Sequence, residues 1–395
     1  MLEVVREYAL DALAGSGEGE AARRNHAAYF LALGEEAEPH LQAGQSSEWL
    51  DRLEEEHDNL RAAMQWALER EVETAARLAG AIRTFWTVRG HLTEGSGRLR
   101  AALERAGRGV VPLAVRFKLL NGLGPLARLQ GDYETAREVY EEGLAEGRAA
   151  NDLQQVALAS WGLGAVAEQQ GDITAARRFI EEGLAISRGL GDKFGIAASL
   201  SFPGDLARTE GEPAAARPLF EESLALFRQL GNQRAVSNNL NNLGAVACGE
   251  GDYQRARLRF AEALAAAQKL GHKITISYSL DGFAALAAGR GEQERAARLA
   301  GAAERLRESI GSEMEPAERR FREAYLGGLR ASLSEPAFRS ACEQGRKLKL
   351  EEAVAVALED STAANENIDN NGRSEAPTET RLGCVAKNSK GRRRG

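Results

Sequence analysis

The sequence repeats itself every 40 residues. A glycine followed by an acidic residue recurs at Gly131-Asp132, Gly171-Asp172, Gly211-Glu212, Gly251-Asp252 and Gly291-Glu292. Five residues after each glycine stands an alanine: Ala136, Ala176, Ala216, Ala256 and Ala296. Four further on come Tyr140, Ile180, Phe220, Phe260 and Ala300, and a second series runs Asn151, Gly191, Gly231, Gly271, Gly311. Self-similarity at such a period means stacked copies of one supersecondary unit, none of which buries its apolar face alone.

Each unit reads as two helices. The glycine allows the left-handed turn that ends the first helix, and the acidic residue after it caps the second and suits its positive end. The alanine marks where two helices approach closely. Scarce proline, 9 in 395 residues, fits an all-α chain. Regular units run over 113–152, 153–192, 193–232, 233–272 and 273–312. A divergent first unit at 72–107 has Gly90-His91 for the Gly-acidic pair, Gly95 for the alanine, and Leu99 and Leu103 at apolar positions. Pro203 falls in a first helix and Pro218 in a second. Both should cost or kink their helices, making the third unit the weak point of the array.

The flanks read differently. Residues 1–16 form a short amphipathic helix, and 17–71 an N-terminal cap of two helices, Glu20–Glu36 and Glu48–Arg70, the second striped with Trp49, Leu53, Leu60, Met64 and Trp66. Residues 313–360 hold three shorter helices, a C-terminal cap. Residues 361–395, with 7 basic and 4 acidic side chains, have too little apolar content to fold and are expected to be disordered. The net charge of −7 argues against a nucleic-acid surface. Three cysteines without paired spacing fit a reducing cytoplasm, and no apolar run reaches membrane-spanning length.

The Leu-Gly step at Leu123-Gly124, Leu163-Gly164 and Leu243-Gly244, the turn glycine eight residues after that leucine, then the alanine and the large apolar residue, resemble the tetratricopeptide motif. The resemblance implies a right-handed superhelix whose first helices line a concave groove. The segments MLEVVREYALDAL (1–13), RRNHAAYFLALGEEAEPHL (23–41), WLDRLEEEHDNLRAAMQWAL (49–68) and KLKLEEAVAVALE (347–359) resemble the C-terminal half of bacterial STAND-type ATPases, the NB-ARC and AfsR/LuxR-like transcriptional regulators. That similarity implies that residues 1–16 are the remnant of a winged-helix region and that the repeats form a sensor arm. No G-x-x-x-x-G-K-[ST] phosphate loop is present, so no nucleotide-binding residue carries over, and the chain reads as that arm alone.

Chemistry is sparse. The five histidines are scattered. His57, in the acidic run EEEHDN, reads as part of a solvated helical face, with Glu55 and His57 the best acid–base pair on offer. No nucleophile motif appears, so an enzyme is not expected, and no cofactor or metal is called for. Candidate partner contacts lie on first helices at matching offsets: Asn121, Trp161, Asn241 and Asp281, joined by Asn238 and Asn242 from an asparagine-rich run. Asparagine amides offer both donor and acceptor to a peptide backbone. The expected role is a cytoplasmic, non-enzymatic sensor or protein-interaction module that takes a peptide, a protein or a small inducer in its groove. The alternative is a constitutive scaffold for complex assembly.

Overall fold

The computed structural model describes residues 17–42 and 46–359. The expectations for 1–16 and 361–395 lie outside the described residues. The N-terminal cap comprises α1 (Gly19–Gln42), α2 (Ser46–Glu55) and α3 (His57–Arg70). Six helix pairs follow: α4 (Val72–Arg89) and α5 (Leu92–Arg105), α6 (Leu113–Leu129) and α7 (Tyr133–Ala150), α8 (Leu153–Gln169) and α9 (Ile173–Leu190). In the third regular unit α10 (Lys193–Ser199) and α11 (Ser201–Thr209) pair with α12 (Pro213–Gln229). Then come α13 (Gln233–Gly249) and α14 (Tyr253–Leu270), and α15 (Lys273–Gly289) and α16 (Gln293–Ile310). The C-terminal cap is α17 (Pro316–Ser332), α18 (Glu335–Arg346) and α19 (Leu350–Leu358).

The turns work as the repeat predicts. All the turn glycines have positive φ, and Asn151, at 53°, is the one non-glycine among the described residues that does. Asp132, Asp172 and Asp252 cap the second helices, their carboxylates accepting from the backbone N–H groups of Thr135, Ala175 and Arg255. Glu212 and Glu292, one methylene longer, make no such side-chain cap.

The repeat skeleton is a knob on glycine. The five alanines are fully buried. A β-carbon on Gly124 would lie 2.6 Å from the Tyr140 ring, on Gly164 2.7 Å from Ile180, on Gly204 2.7 Å from Phe220 and on Gly244 2.6 Å from Phe260. Each large second-helix side chain therefore lies flat on the backbone of its own first helix. Tyr140 and Phe260 also cover the next first helix, at Gly162 and Gly282. This explains the Leu-Gly step: the leucine fills the core and the glycine admits the knob.

The array closes on itself. Helix α2 touches α14, and α4 touches α15. Leu270, Ile274 and Ile310 of the last units share one apolar cluster with Leu50, Phe85 and Trp86. After α16 the chain crosses the face lined by first helices, and α17 packs against α11 and α15.

Two local expectations change and one holds. The second cap helix is two, because Glu56 (φ −93°, ψ 8°) turns the chain and aims His57, Leu60 and Met64 into the core. Pro203 does break its helix, which splits at Leu200. Pro218 does not: α12 runs unbroken through it. Pro218 lies in the second turn, and its lost donor leaves one carbonyl unpaired without ending the helix.

Candidate functional site

The first helices bring one residue per 40 to the same place. At one offset stand Asn121, Trp161, Ser201, Asn241 and Asp281. Asn121 is half-buried and its amide donates to Gln155 Oε1 at 2.8 Å. Trp161 is half-buried and its indole N–H donates to the Ala198 carbonyl at 3.1 Å. Asn241 is buried: it donates to the Thr275 carbonyl at 3.1 Å and accepts from Ser279 at 2.9 Å. Asn238 accepts from the Thr275 hydroxyl, and Asn242 is half-buried beside it.

Asp281 is the hub of a buried network. It accepts from Arg307 at 2.6 Å, from Arg322 at 2.5 Å and from the Tyr325 hydroxyl at 2.5 Å. Burial, with Asp281 beside it, holds the Tyr325 phenol well above its ordinary range. The structure thus spends the polar atoms of Asn241 and Asp281 on tying neighbouring helices together.

A second offset carries charge: Arg128, Glu168 and Arg208, then Cys248. Sequence reasoning passed over this ladder, although the same 40-residue spacing displays it. The chain's own segment after α16 runs along it. The Glu313 N–H donates to the Leu129 carbonyl at 2.7 Å. Glu315 pairs with Arg128 at 2.8 Å, and Glu318 with Arg208 at 2.6 Å. Arg208 also meets Asp205 at 3.1 Å. Segment 312–315 is without helical structure until α17 begins at Pro316, so the groove holds an extended, acidic piece of polypeptide.

The interior is short of solvent and rich in charge. Burial pushes the Glu168 carboxyl up, and Asp205 and Glu315 push it further. Burial raises Asp205 too, against the pull of Arg208. Burial, with Arg128 nearby, lowers Arg234, and burial beside Arg234 brings His272 down to about 3. Several guanidinium nitrogens stay without partners: Nε of Arg128, and Nε and Nη1 of Arg208. Burial alone pushes the Cys248 thiol up to about 12, which keeps it a thiol and a poor nucleophile.

Of the acid–base pair weighed from sequence, Glu55 is exposed while His57 is 7% exposed. His57 is therefore not on a solvated face. Its ring packs edge-on against Phe85, centroids 5.2 Å apart. The histidines are also less scattered than their spacing suggests: the His57 and His91 rings lie 4.3 Å apart. Only closing α2–α3 against α4–α5 brings them together.

A family model agrees with the repeat architecture. A tetratricopeptide-repeat family model matches residues 155–229 and 195–269. A stretch of 124 residues, 30% of this chain, is 39% identical to proteins named "Putative HTH-type transcriptional regulator" in Mycobacterium bovis and in two strains of Mycobacterium tuberculosis. The matched stretch spans 14% of the length of those relatives. Among solved structures, BtubC from P. vanneervenii is similar at 21% identity and a TM-score of 0.40, over 55% of this chain and 91% of that one. A Rap protein complexed with Competence and Sporulation Factor is similar at 12% identity and a TM-score of 0.45, over 81% and 99%. The chain carries tetratricopeptide repeats, which imply a protein-interaction module. Among the described residues no helix is long and apolar enough to cross a membrane.

Proposed function

We propose that this chain is the sensor and protein-interaction arm of a bacterial transcription-regulatory ATPase system, and that its interior face takes an acidic peptide or protein segment. The observation that supports this reading most is the non-helical stretch Glu313–Glu315 with the first turn of α17 after it, held by Arg128, Arg208 and the Leu129 carbonyl. The non-helical stretch pairs a backbone hydrogen bond with the charge-assisted Glu315–Arg128 contact, a combination suited to holding an extended chain, and Glu318 adds a second ion pair from the helix. The unspent N–H groups of Arg128 and Arg208 offer more to a carboxylate-bearing ligand than the resident segment uses.

In this reading the resident segment and an incoming ligand compete. Displacing Glu315 and Glu318 frees α17 from α11, and α17 is also tied to α15 through Asp281. Ligand binding would then change how the first and last units are held together. Such coupling requires that the ligand bind the two arrangements with different affinity. Asn121, Trp161, Asn238 and Asn242 would flank the ligand. Asn241 and Asp281 would join only in the rearranged state.

A fluorescent peptide of sequence GSEMEPAERR, residues 311–320, tests this by anisotropy against the wild type and an E315A/E318A variant. The variant should bind it at least about tenfold more tightly, which is about 1.4 kcal/mol. Adding R208A should abolish that gain. Absence of binding to the correctly folded variant would remove the groove assignment. The ATPase context has its own check: genomic sequence upstream of the Met1 codon should encode an in-frame phosphate-binding loop and winged helix.

A further inference from the structure

Two inter-helix turns converge at the N-terminal end of the array. One, between α2 and α3, carries Glu54 and His57; the other, between α4 and α5, carries His91 and Glu94. One donor atom each from Glu54, His57 and His91 lies within 4.8 Å of the others. His91 Nε2 is 3.1 Å from both Glu54 carboxylate oxygens. The buried Nε2 of His57 lies 3.2 Å from Glu94 Oε1 but makes no aligned hydrogen bond. Glu94 is already spoken for, since Arg61 donates to it at 2.5 and 2.9 Å.

We propose that Glu54, His57 and His91 form a zinc site that clamps the N-terminal cap to the first helix pair. Two imidazoles and one carboxylate are a donor set that suits Zn²⁺, with a fourth position open to water. Tetrahedral ligands about 2.0–2.1 Å from zinc lie about 3.3 Å apart, so small side-chain shifts bring the three donors into range. Glu94, fixed by Arg61, lies beside His57 as a further carboxylate at the rim of the site. The three donors come from both turns, so the ion would link two elements instead of decorating one. An ordinary buried histidine pair would instead spend its ring nitrogens on hydrogen bonds, and His57 Nε2 does not.

The site is independent of the peptide-binding reading, because it lies on the turns of the first pair and not on the Arg128–Arg208 ladder.

The test uses the full chain, stripped with chelator and titrated with Zn²⁺ and with Co²⁺. The expected result is one equivalent of Zn²⁺ bound, a rise in Tm, and Co²⁺ absorption bands of a four-coordinate site. E54Q, at an exposed position, should keep the fold and weaken Zn²⁺ binding at least about tenfold. H91Q should remove it, while H26Q and H40Q should bind as the wild type does. Stoichiometric binding that H91Q and E54Q leave unchanged, or no binding by the folded wild type, would overturn the proposal.

Discussion

The third and fifth units have the same skeleton and opposite surroundings. In the third, the first helix is cut at Leu200 and its burial is confined to Ala197, Ser199, Phe202, Gly204 and Ala207. In the fifth, α15 is continuous and buried along nearly its whole length, polar residues included. Both have a buried alanine and a positive-φ turn glycine; the third sets Phe220 on Gly204, while the fifth has Ala300 at the knob position and takes Phe260 of the fourth unit on Gly282. The difference comes from coverage. The fifth unit lies between α4 of the first helix pair and α17–α18, whereas the third has its repeat neighbours and the Arg208–Glu318 pair. In a stacked array the local sequence builds the helix pair, and its neighbours set its stability.

The residues at one offset break this comparison most sharply. Asp281 in the fifth unit holds Arg307, Arg322 and Tyr325, and Ser201 holds its place in the third. Asp281→Ala strands the buried Arg307 guanidinium and takes from the half-buried Arg322 its nearest carboxylate, so it should cost about 3–5 kcal/mol. Ser201→Ala should change stability by less than about 0.5 kcal/mol. Urea unfolding of both variants reads the contrast. Equal losses would mean that the two units are held alike.

How much of this was legible follows the range of the interaction. The helix pairs, turn glycines and buried alanines recur at fixed spacing, so they show in the sequence. The helix break near Pro203 was also visible, because proline acts on its own turn. Closure of the array was not visible, because Leu50, Phe85, Leu270 and Ile310 come together only in three dimensions. Asp281 read as a groove residue for the same reason: its partners Arg322 and Tyr325 sit on a helix outside the repeat. His57 read as solvated because an acidic stretch says nothing about the ring of Phe85 beside it. The Arg128–Glu168–Arg208 ladder was in phase and could have been found by reading charge, not only asparagine, at constant offset.

A glycine pair sharpens the same contrast with a smaller effect. Gly301 on α16 faces the backbone of Cys342 on α18, with no room for a methyl group. Gly345 faces the backbone of Arg298 in the same way, so these helices meet through glycine on both sides. Gly189 on α9, in the less covered part of the array, has open space where a β-carbon would go. Gly301→Ala should therefore destabilise by about 1–3 kcal/mol through overpacking. Gly189→Ala should stabilise by up to about 1 kcal/mol, because alanine is the better helix former and the native backbone there suits it. Opposite signs in thermal unfolding are the expected result. A loss at both positions would mean that α9 is as tightly covered as α16.

The smallest effect concerns the interior charges beside the third unit. Glu168 has a raised folded-state pKa, from burial first and then from Asp205 and Glu315. The folded chain thus holds this proton more tightly than the unfolded chain does. The resulting stability is fully present below the ordinary carboxylate range and is lost as pH rises through the raised value. Glutamine cannot ionise, so Glu168→Gln escapes that loss. The Tm of the variant minus that of the wild type should grow between about pH 5 and about pH 8. Groups unaffected by the substitution titrate alike in both chains and cancel in the difference. The slope should be modest, because Glu168 is half-buried and water screens part of the repulsion. A flat difference would show that the interior near the third unit is wet enough to ionise Glu168 at its ordinary pKa. A rising difference would place a charge that the folded state tolerates poorly on α8, beside the third unit. A ligand that changed the balance of Arg128, Arg208 and Glu315 would then act on that charge.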